Sequence, residues 1–188
     1  MRLPEEIVTP RLLLRRPRAG DGTMINQAVH ESFAELSPWM QWARELPTVD
    51  QSEAFARDAA VRYNNGSTAE LLILHRDTGR LIGATGMPRI DWNLPGFEIG
   101  YWCRTGETGN GYVSESTWWL AKALFELGAK RVEIRMDDLN RRSWRVAERL
   151  GFTLQSLLKK DLIANDGSLR DTRIYVAFAL DQLTRPPA

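Results

Sequence analysis

The sequence predicts an α/β fold built on a mixed, mainly antiparallel sheet. Three observations carry this. Three apolar runs between residues 69 and 103 are separated by short turn segments, the apolar period lengthens from two to helical spacing at Tyr112, and two further runs near the end of the chain flank an Asn-Asp-Gly turn. Runs joined by tight turns pair antiparallel, while a helix following a strand must bury its apolar stripe against a sheet.

Element by element, residues 11–16 (Arg-Leu-Leu-Leu-Arg-Arg) read as a strand, after which Asp21 is placed to cap a helix over 22–36. Asp50 and Glu53 have the spacing of a capping box for a second helix over 50–63, which Asn65-Gly66 ends. Strands follow at 69–75, at 80–89 after Thr78-Gly79, and at 97–103 after Asn93-Leu94-Pro95-Gly96. From Tyr112, residues Val113, Thr117, Leu120, Ala121, Leu124 and Phe125 share one helical face until Gly128. Residues 131–136 form a short strand, and Asn140 opens a helix that runs to Leu150 and stops at Gly151. Residues 152–163 and 169–180 make a hairpin through Asn165-Asp166-Gly167. With no repeat or linker, residues 1–182 are expected to be a single domain, and 183–188 a frayed tail.

Composition excludes several function classes. Twenty-five Lys and Arg against 24 Asp and Glu leave a net charge of +1, so nothing in the overall balance favours direct nucleic-acid binding or a membrane surface. One cysteine and two histidines are too few for a Cys/His metal site, so no metal is expected; His30 and His75 read as ordinary surface or half-buried residues. The lone Cys103 suits a reducing compartment. No signal-peptide core or long apolar run is present, and a cytoplasmic location is expected.

The most informative segment is 102–113, where a strand end meets a loop with Gly106, Gly109 and Gly111 and then a helix start. Glycines let successive N–H groups converge on one anion, and a helix N-terminus adds about half a positive charge. Gly106 and Gly111 fit the first half of a nucleotide P-loop, but Tyr112 and Val113 stand where Lys and Ser or Thr are required. Gly109, Gly111 and Ser114 give only part of a dinucleotide fingerprint, and the preceding strand belongs to a meander. Coenzyme A answers both objections: its pyrophosphate needs the amide nest and its pantetheine arm needs a free strand edge. A loop that merely turns the chain is the plain alternative.

Four segments in order resemble the GNAT superfamily of acetyl-CoA-dependent N-acetyltransferases, in its RimJ/RimL-type branch. Residues 9–15 (Thr-Pro-Arg-Leu-Leu-Leu-Arg) with Asp21 look like the opening strand and helix. Residues 97–102 (Phe-Glu-Ile-Gly-Tyr-Trp) look like the fourth strand, and 109–115 (Gly-Asn-Gly-Tyr-Val-Ser-Glu) like the end of the CoA motif. Residues 140–152 look like the Asn-x-x-Ser-x-x-Val-x-Glu-x-x-Gly-Phe segment after the fifth strand. One departure is Gly106, where the family usually has Gln or Arg. The resemblance implies the GNAT fold, its fourth and fifth strands splayed to admit the pantetheine arm. It also implies acetyl-CoA as co-substrate, direct transfer in a ternary complex, and a homodimer in many members. The acceptor would be an amine, either a small one or a protein N-terminus such as that of a ribosomal protein. A non-catalytic acyl-CoA-binding module on the same fold is the alternative.

The CoA site would comprise Trp102, Cys103, Arg104, Thr108, Gly109, Asn110, Gly111, Tyr112, Val113, Asn140 and Ser143. Arg141, Arg142 or Arg145 would be within reach of its phosphates. Glu98, a carboxylate in an apolar strand, is the candidate base, with an arginine ion pair as its plain reading. Asp161 and Glu115 are alternatives, Glu115 suiting the start of its helix. Ser143 matches the family serine that protonates the departing thiolate. Cys103 has no histidine near it in sequence and is a poor nucleophile candidate. Trp118 and Trp119 read as packing. Trp39 and Trp42 lie in a connection between the first two helices that is more aromatic than a plain linker, and are expected to wall the acceptor site.

Overall fold

The computed structural model describes residues 3–187. In chain order the elements are β1 (Glu6–Val8), β2 (Leu12–Arg15), α1 (Gly22–Leu36), α2 (Val49–Asn65), β3 (Ala69–His75) and β4 (Leu81–Met87). They continue with β5 (Gly96–Glu98), β6 (Gly100–Cys103), α3 (Tyr112–Glu126), β7 (Arg131–Asp137), α4 (Arg141–Arg149), β8 (Thr153–Ile163) and β9 (Leu169–Ala177). One sheet has the order β1-β2-β3-β4-β6 and is antiparallel throughout. The second has the order β5-β7-β9-β8, with β5 parallel to β7 and the other pairs antiparallel.

The predicted strand 97–103 is therefore two strands. Phe97 and Glu98 pair with Val132 and Glu133, and Ile99 donates its N–H to the Glu133 carbonyl at 2.8 Å. From Gly100 onward the chain pairs with β4 instead, Gly100 opposite Gly86 and Cys103 opposite Gly83. A Cβ on Gly83 would lie 2.1 Å from the Trp102 carbonyl oxygen, so only glycine lets β4 draw β6 this close. β6 and β7 consequently diverge from Ile99, and the far edge of β6 has no strand partner among the described residues.

The first sheet is buried on both faces, which is why β3 reads as an unbroken apolar run. Leu72, Leu74, Ala84 and Trp102 pack with Ile25 and Val29 of α1 and Ala56 of α2. Leu71, Ile73, Ile82 and Tyr101 belong to the larger core, with Leu120 and Leu124 of α3, Val132 and Tyr175.

Several local expectations are corrected. Strand β1, too short to show a pattern, pairs with β2. Asp21 does not cap α1: its carboxylate takes Arg15 at 2.7 and 2.8 Å and the Arg18 N–H at 2.7 Å. Glu53, reaching over from α2, accepts from the Gly20 and Gly22 amides instead. The capping box of α2 is accordingly Thr48 with Gln51, not Asp50 with Glu53. The described part of the tail is packed. Leu183 is buried, the Thr184 N–H bonds the Leu150 carbonyl, and the Arg185 guanidinium covers Trp118 and Trp119; Ala188 lies outside the described residues.

Candidate active site

The diverging strands open into a cavity of about 550 Å³ that reaches from the β6–β7 cleft to the α1–α2 connection. Glu98, Tyr101, Trp102, Asn140, Ser143, Trp39 and Trp42 all line it. Candidates separated by more than a hundred residues in sequence thus share one space.

At its cofactor end, β6 runs into a 3₁₀ turn (Thr105–Glu107) and then Thr108, Gly109, Asn110 and Gly111. Gly109 (φ 86°) and Gly111 (φ 78°) are both left-handed. The first bond of α3 runs from the Glu115 N–H to the Gly111 carbonyl, so the amides of Tyr112, Val113 and Ser114 precede the helical ladder and are free for an anion. A Cβ at Gly109 would meet nothing within 4 Å, and one at Gly111 would lie 3.5 Å from Arg11 Nη2. Glycine is needed here for backbone conformation, not for space.

Arg11, a residue with no role assigned from the sequence, holds this loop. Its Nη1 donates to the Asn110 carbonyl at 3.0 Å, its guanidinium lies 4.8 Å from the Tyr112 ring centre, and its Nε pairs with Glu115 at 2.7 Å. Glu115 also accepts from the Arg11 N–H and the Thr9 hydroxyl, and is fully buried. It is a strut between α3 and β2, outside the cavity lining, so it is no candidate base. Arg104 is likewise committed: its guanidinium grips Glu31 on α1 at 2.6 and 2.7 Å, which turns it away from the amide nest.

Beside the cleft, Asn140 Oδ1 accepts from the Ser143 N–H at 3.1 Å and so caps α4, placing Ser143 in its first turn. Ser143 Oγ donates to Tyr101 Oη at 3.2 Å, and Tyr101 Oη donates to the Ser143 carbonyl at 2.9 Å. Burial pushes the Tyr101 phenol far above its ordinary range, so it stays protonated. Sequence reasoning missed Tyr101; its only signal was its place in the fourth-strand segment. Cys103 is half-buried and its thiol is pushed up to about 11, by burial and then by Glu107, which removes the thiolate a nucleophile needs.

Glu98 lies on the face of β5 opposite Phe97 and Ile99, which belong to the core. It has no hydrogen bond or ion pair among the described residues. Burial raises its pKa above the usual carboxylate value, the charge of Arg135 opposing and Glu133 assisting. Asp161 sits on β8 beside a register break between Leu158 and Leu162, and its carboxylate pairs with Arg135 at 3.2 Å. The structure thus brings Glu98 into the cavity unpaired, while Asp161 is tied to a residue of its rim. Arg141, Arg142 and Arg145 are exposed on α4. His30 is exposed and His75 half-buried, and Trp118 is core.

Trp39 and Met40 are half-buried, whereas Trp42 is 52% exposed and meets Trp102 edge-on at 6.1 Å. Asn165, in the β8–β9 turn, donates to the Ser37 and Met40 carbonyls and pins this connection.

Comparison with known proteins agrees with this geometry. The model of the acetyltransferase (GNAT) domain matches residues 11–153, well over half of the chain. A ribosomal-protein-serine acetyltransferase of Escherichia coli K12 is 29% identical over 153 residues, covering 78% of this chain and 83% of that protein. An uncharacterized N-acetyltransferase, p20, of Bacillus licheniformis is 28% identical over 176 residues, covering 91% and 94%. Among solved structures, the microcin C7 self-immunity acetyltransferase MccE, in complex with acetyl-CoA and AMP, superposes with a TM-score of 0.87 at 24% identity, covering 93% of this chain and 97% of that one. The RimL ribosomal L7/L12 α-N-protein acetyltransferase gives 0.85 at 22% identity, covering 92% and 97%. The chain belongs to the GNAT family. It is an acetyl-CoA-dependent N-acetyltransferase with an amine as acceptor.

Proposed function

We propose that the chain acetylates the α-amino group of a peptide or protein N-terminus, with residues 1–182 acting as one catalytic domain in the cytoplasm. The observation that carries this is the single cavity joining an unpaired carboxylate, Glu98, to the free edge of β6 and to a tryptophan-lined entrance. The name of the E. coli relative supports a protein acceptor.

Acetyl-CoA supplies the acetyl group as a thioester. The chain's residues fit it: left-handed glycines before α3 for the pyrophosphate, and an unpaired strand edge for the amides of the pantetheine arm. The acceptor must lose a proton to attack. An α-amino group, with a pKa of ~7.7–8.0, pays about 1 kcal/mol at pH 7 to become neutral, whereas a lysine at ~10.4 pays about 4.6 kcal/mol. A half-buried carboxylate with a raised pKa is a base matched to the smaller demand. As the new C–N bond forms and the C–S bond breaks, Glu98 receives the amine's proton, directly or through one water. Ser143 Oγ gives a proton to the departing sulfur and takes one back from solvent, to which Glu98 in turn releases the amine's proton. Tyr101 is a positioning residue that holds Ser143 at the cleft: at rest its Oη accepts a hydrogen bond from the Ser143 hydroxyl, whose proton turns to the sulfur as the thioester breaks. A silent acyl-CoA-binding module would need neither the unpaired Glu98 nor the oriented Ser143.

The test is mass spectrometry of peptides that carry both a free N-terminus and an internal lysine, incubated with acetyl-CoA and the chain. Acetyl on the N-terminal residue is the expected product. Acetyl confined to the lysine side chain, or no transfer to any peptide, would overturn the proposal.

A further inference from the structure

The cavity wall that faces α1 and α2 is largely apolar, with Gln51 and Ser52 of α2 as polar members. Val29, Trp39, Met40, Trp42, Phe55 and Trp102 supply its apolar part, from α1, the α1–α2 connection, α2 and β6. Two of these rings are held open to solvent at the mouth, Trp42 at 52% and Phe55 at 40% exposed, although the hydrophobic effect favours covering them. The edge-on contact between Trp42 and Trp102 joins the two indoles into one apolar surface on this wall.

The charges around this wall are equally selective. Glu98 carries no partner, while Glu70 is satisfied by Arg62 at 3.4 Å and Thr68 at 2.8 Å. The one cation on the lining, Arg135, is neutralised by Asp161. An acceptor with a positive amine beside Glu98 is welcome.

We propose that the acceptor is an amine whose neighbouring group is aromatic or large and apolar, as in a peptide beginning with Phe or Leu or a small amine of the same shape. This rests on reading the cavity as the acceptor site of the N-acetyltransferase, and specifies which residue bears the acetylated amine. Serine or alanine in that position would leave Trp42, Phe55 and Trp102 wet. The first residue's side chain would lie against Trp42 and Trp102 while its α-nitrogen approaches Glu98.

The experiment measures CoA thiol release with one peptide sequence differing only at position 1 (Phe, Leu, Ala or Ser), together with phenylalanine amide and alanine amide. The amides keep the basicity of the amine matched and separate a small amine from a peptide N-terminus. Acetyl-CoA binding is followed in parallel by calorimetry. The expected result is a kcat/KM on the order of 30-fold higher for Phe than for Ala in whichever series is turned over. Trp42→Ala, at an exposed position, should shrink the Phe-to-Ala ratio several-fold with little change in melting temperature. Equal or higher kcat/KM for Ser or Ala overturns the apolar-acceptor inference and leaves the N-terminal acetyltransferase intact. Binding of acetyl-CoA with no acetylation of any amine overturns both.

Discussion

Replacing Glu98 by glutamine keeps the shape of the side chain and removes a carboxylate of the cavity that is unpaired among the described residues. A positioned base contributes about 10²–10⁴-fold, so kcat should fall by that factor while the affinity for acetyl-CoA stays put. The pH profile gives a sharper test. In wild type, log(kcat/KM) depends on two deprotonations, of Glu98 and of the acceptor amine, and should fall with a slope near two at low pH. In Glu98→Gln only the amine remains, and the slope should be one. Stability should move the other way. Burial raises the Glu98 pKa, so the folded chain keeps that proton to a higher pH than the unfolded chain does. Stability therefore falls as pH rises from the ordinary glutamate value through the raised one, and the whole cost is present above both. Removing a half-buried, unpartnered charge should return on the order of 1 kcal/mol at neutral pH, a rise of about 2–4 °C in Tm. Below the ordinary glutamate range the two proteins should melt together. A variant that keeps most of its kcat, or whose acid limb matches wild type, would refute Glu98 as the base; a lower Tm at neutral pH would refute the reading of its environment.

Three further outcomes follow from the geometry. Gly111→Val must hold a β-branched residue at φ 78°, at a cost of at least about 1–2 kcal/mol, and should weaken acetyl-CoA binding roughly tenfold by calorimetry with no change in acceptor KM; unchanged affinity would move the cofactor elsewhere. Ser143→Ala and Tyr101→Phe should each lower kcat by roughly tenfold or more without altering the acetyl-CoA KM, and the double variant should be no worse than Ser143→Ala, because both remove one oriented hydroxyl; additive losses would give Tyr101 a role of its own. Glu115→Gln leaves the part-buried Arg11 guanidinium without its counter-charge and should cost about 2–3 kcal/mol, seen as a Tm drop of roughly 5–10 °C.

What the sequence could show was local. Strand β3, the glycine loop, the start of α3 and the β8–β9 hairpin are set by patterns within a few residues, and their positions match expectation. Long-range contacts decided the rest. Asp21 has an N-cap's chemistry, but Arg15, at the end of β2, is a stronger partner for its carboxylate, and Glu53, 33 residues beyond Gly20, takes over the amides. Nothing near Arg104 in sequence discloses Glu31, and nothing near Asp161 discloses Arg135 or the register break on β8. Tyr101 was invisible as a functional residue because its significance depends on Ser143, 42 residues later. Arg11 is the same case at greater separation, anchoring a loop some hundred residues away.

The break at Ile99 links these observations. Side chains alternate along a strand, so Trp102 faces α1 and α2 while Tyr101 faces the core beneath α4. Phe97 and Ile99 also point to that core, which leaves Glu98 on the opposite side. The proton acceptor and the hydroxyl that orients the proton donor are therefore presented on opposite faces of one short stretch of chain. An amine entering past Trp42 meets Glu98 on its own side, and the sulfur leaves toward Ser143 on the other. A single inserted residue between Ile99 and Tyr101 would exchange the two faces, placing the phenol against α1 and an indole against Ser143. Such a variant should still bind acetyl-CoA at the loop before α3, whose glycines are untouched, and should transfer nothing.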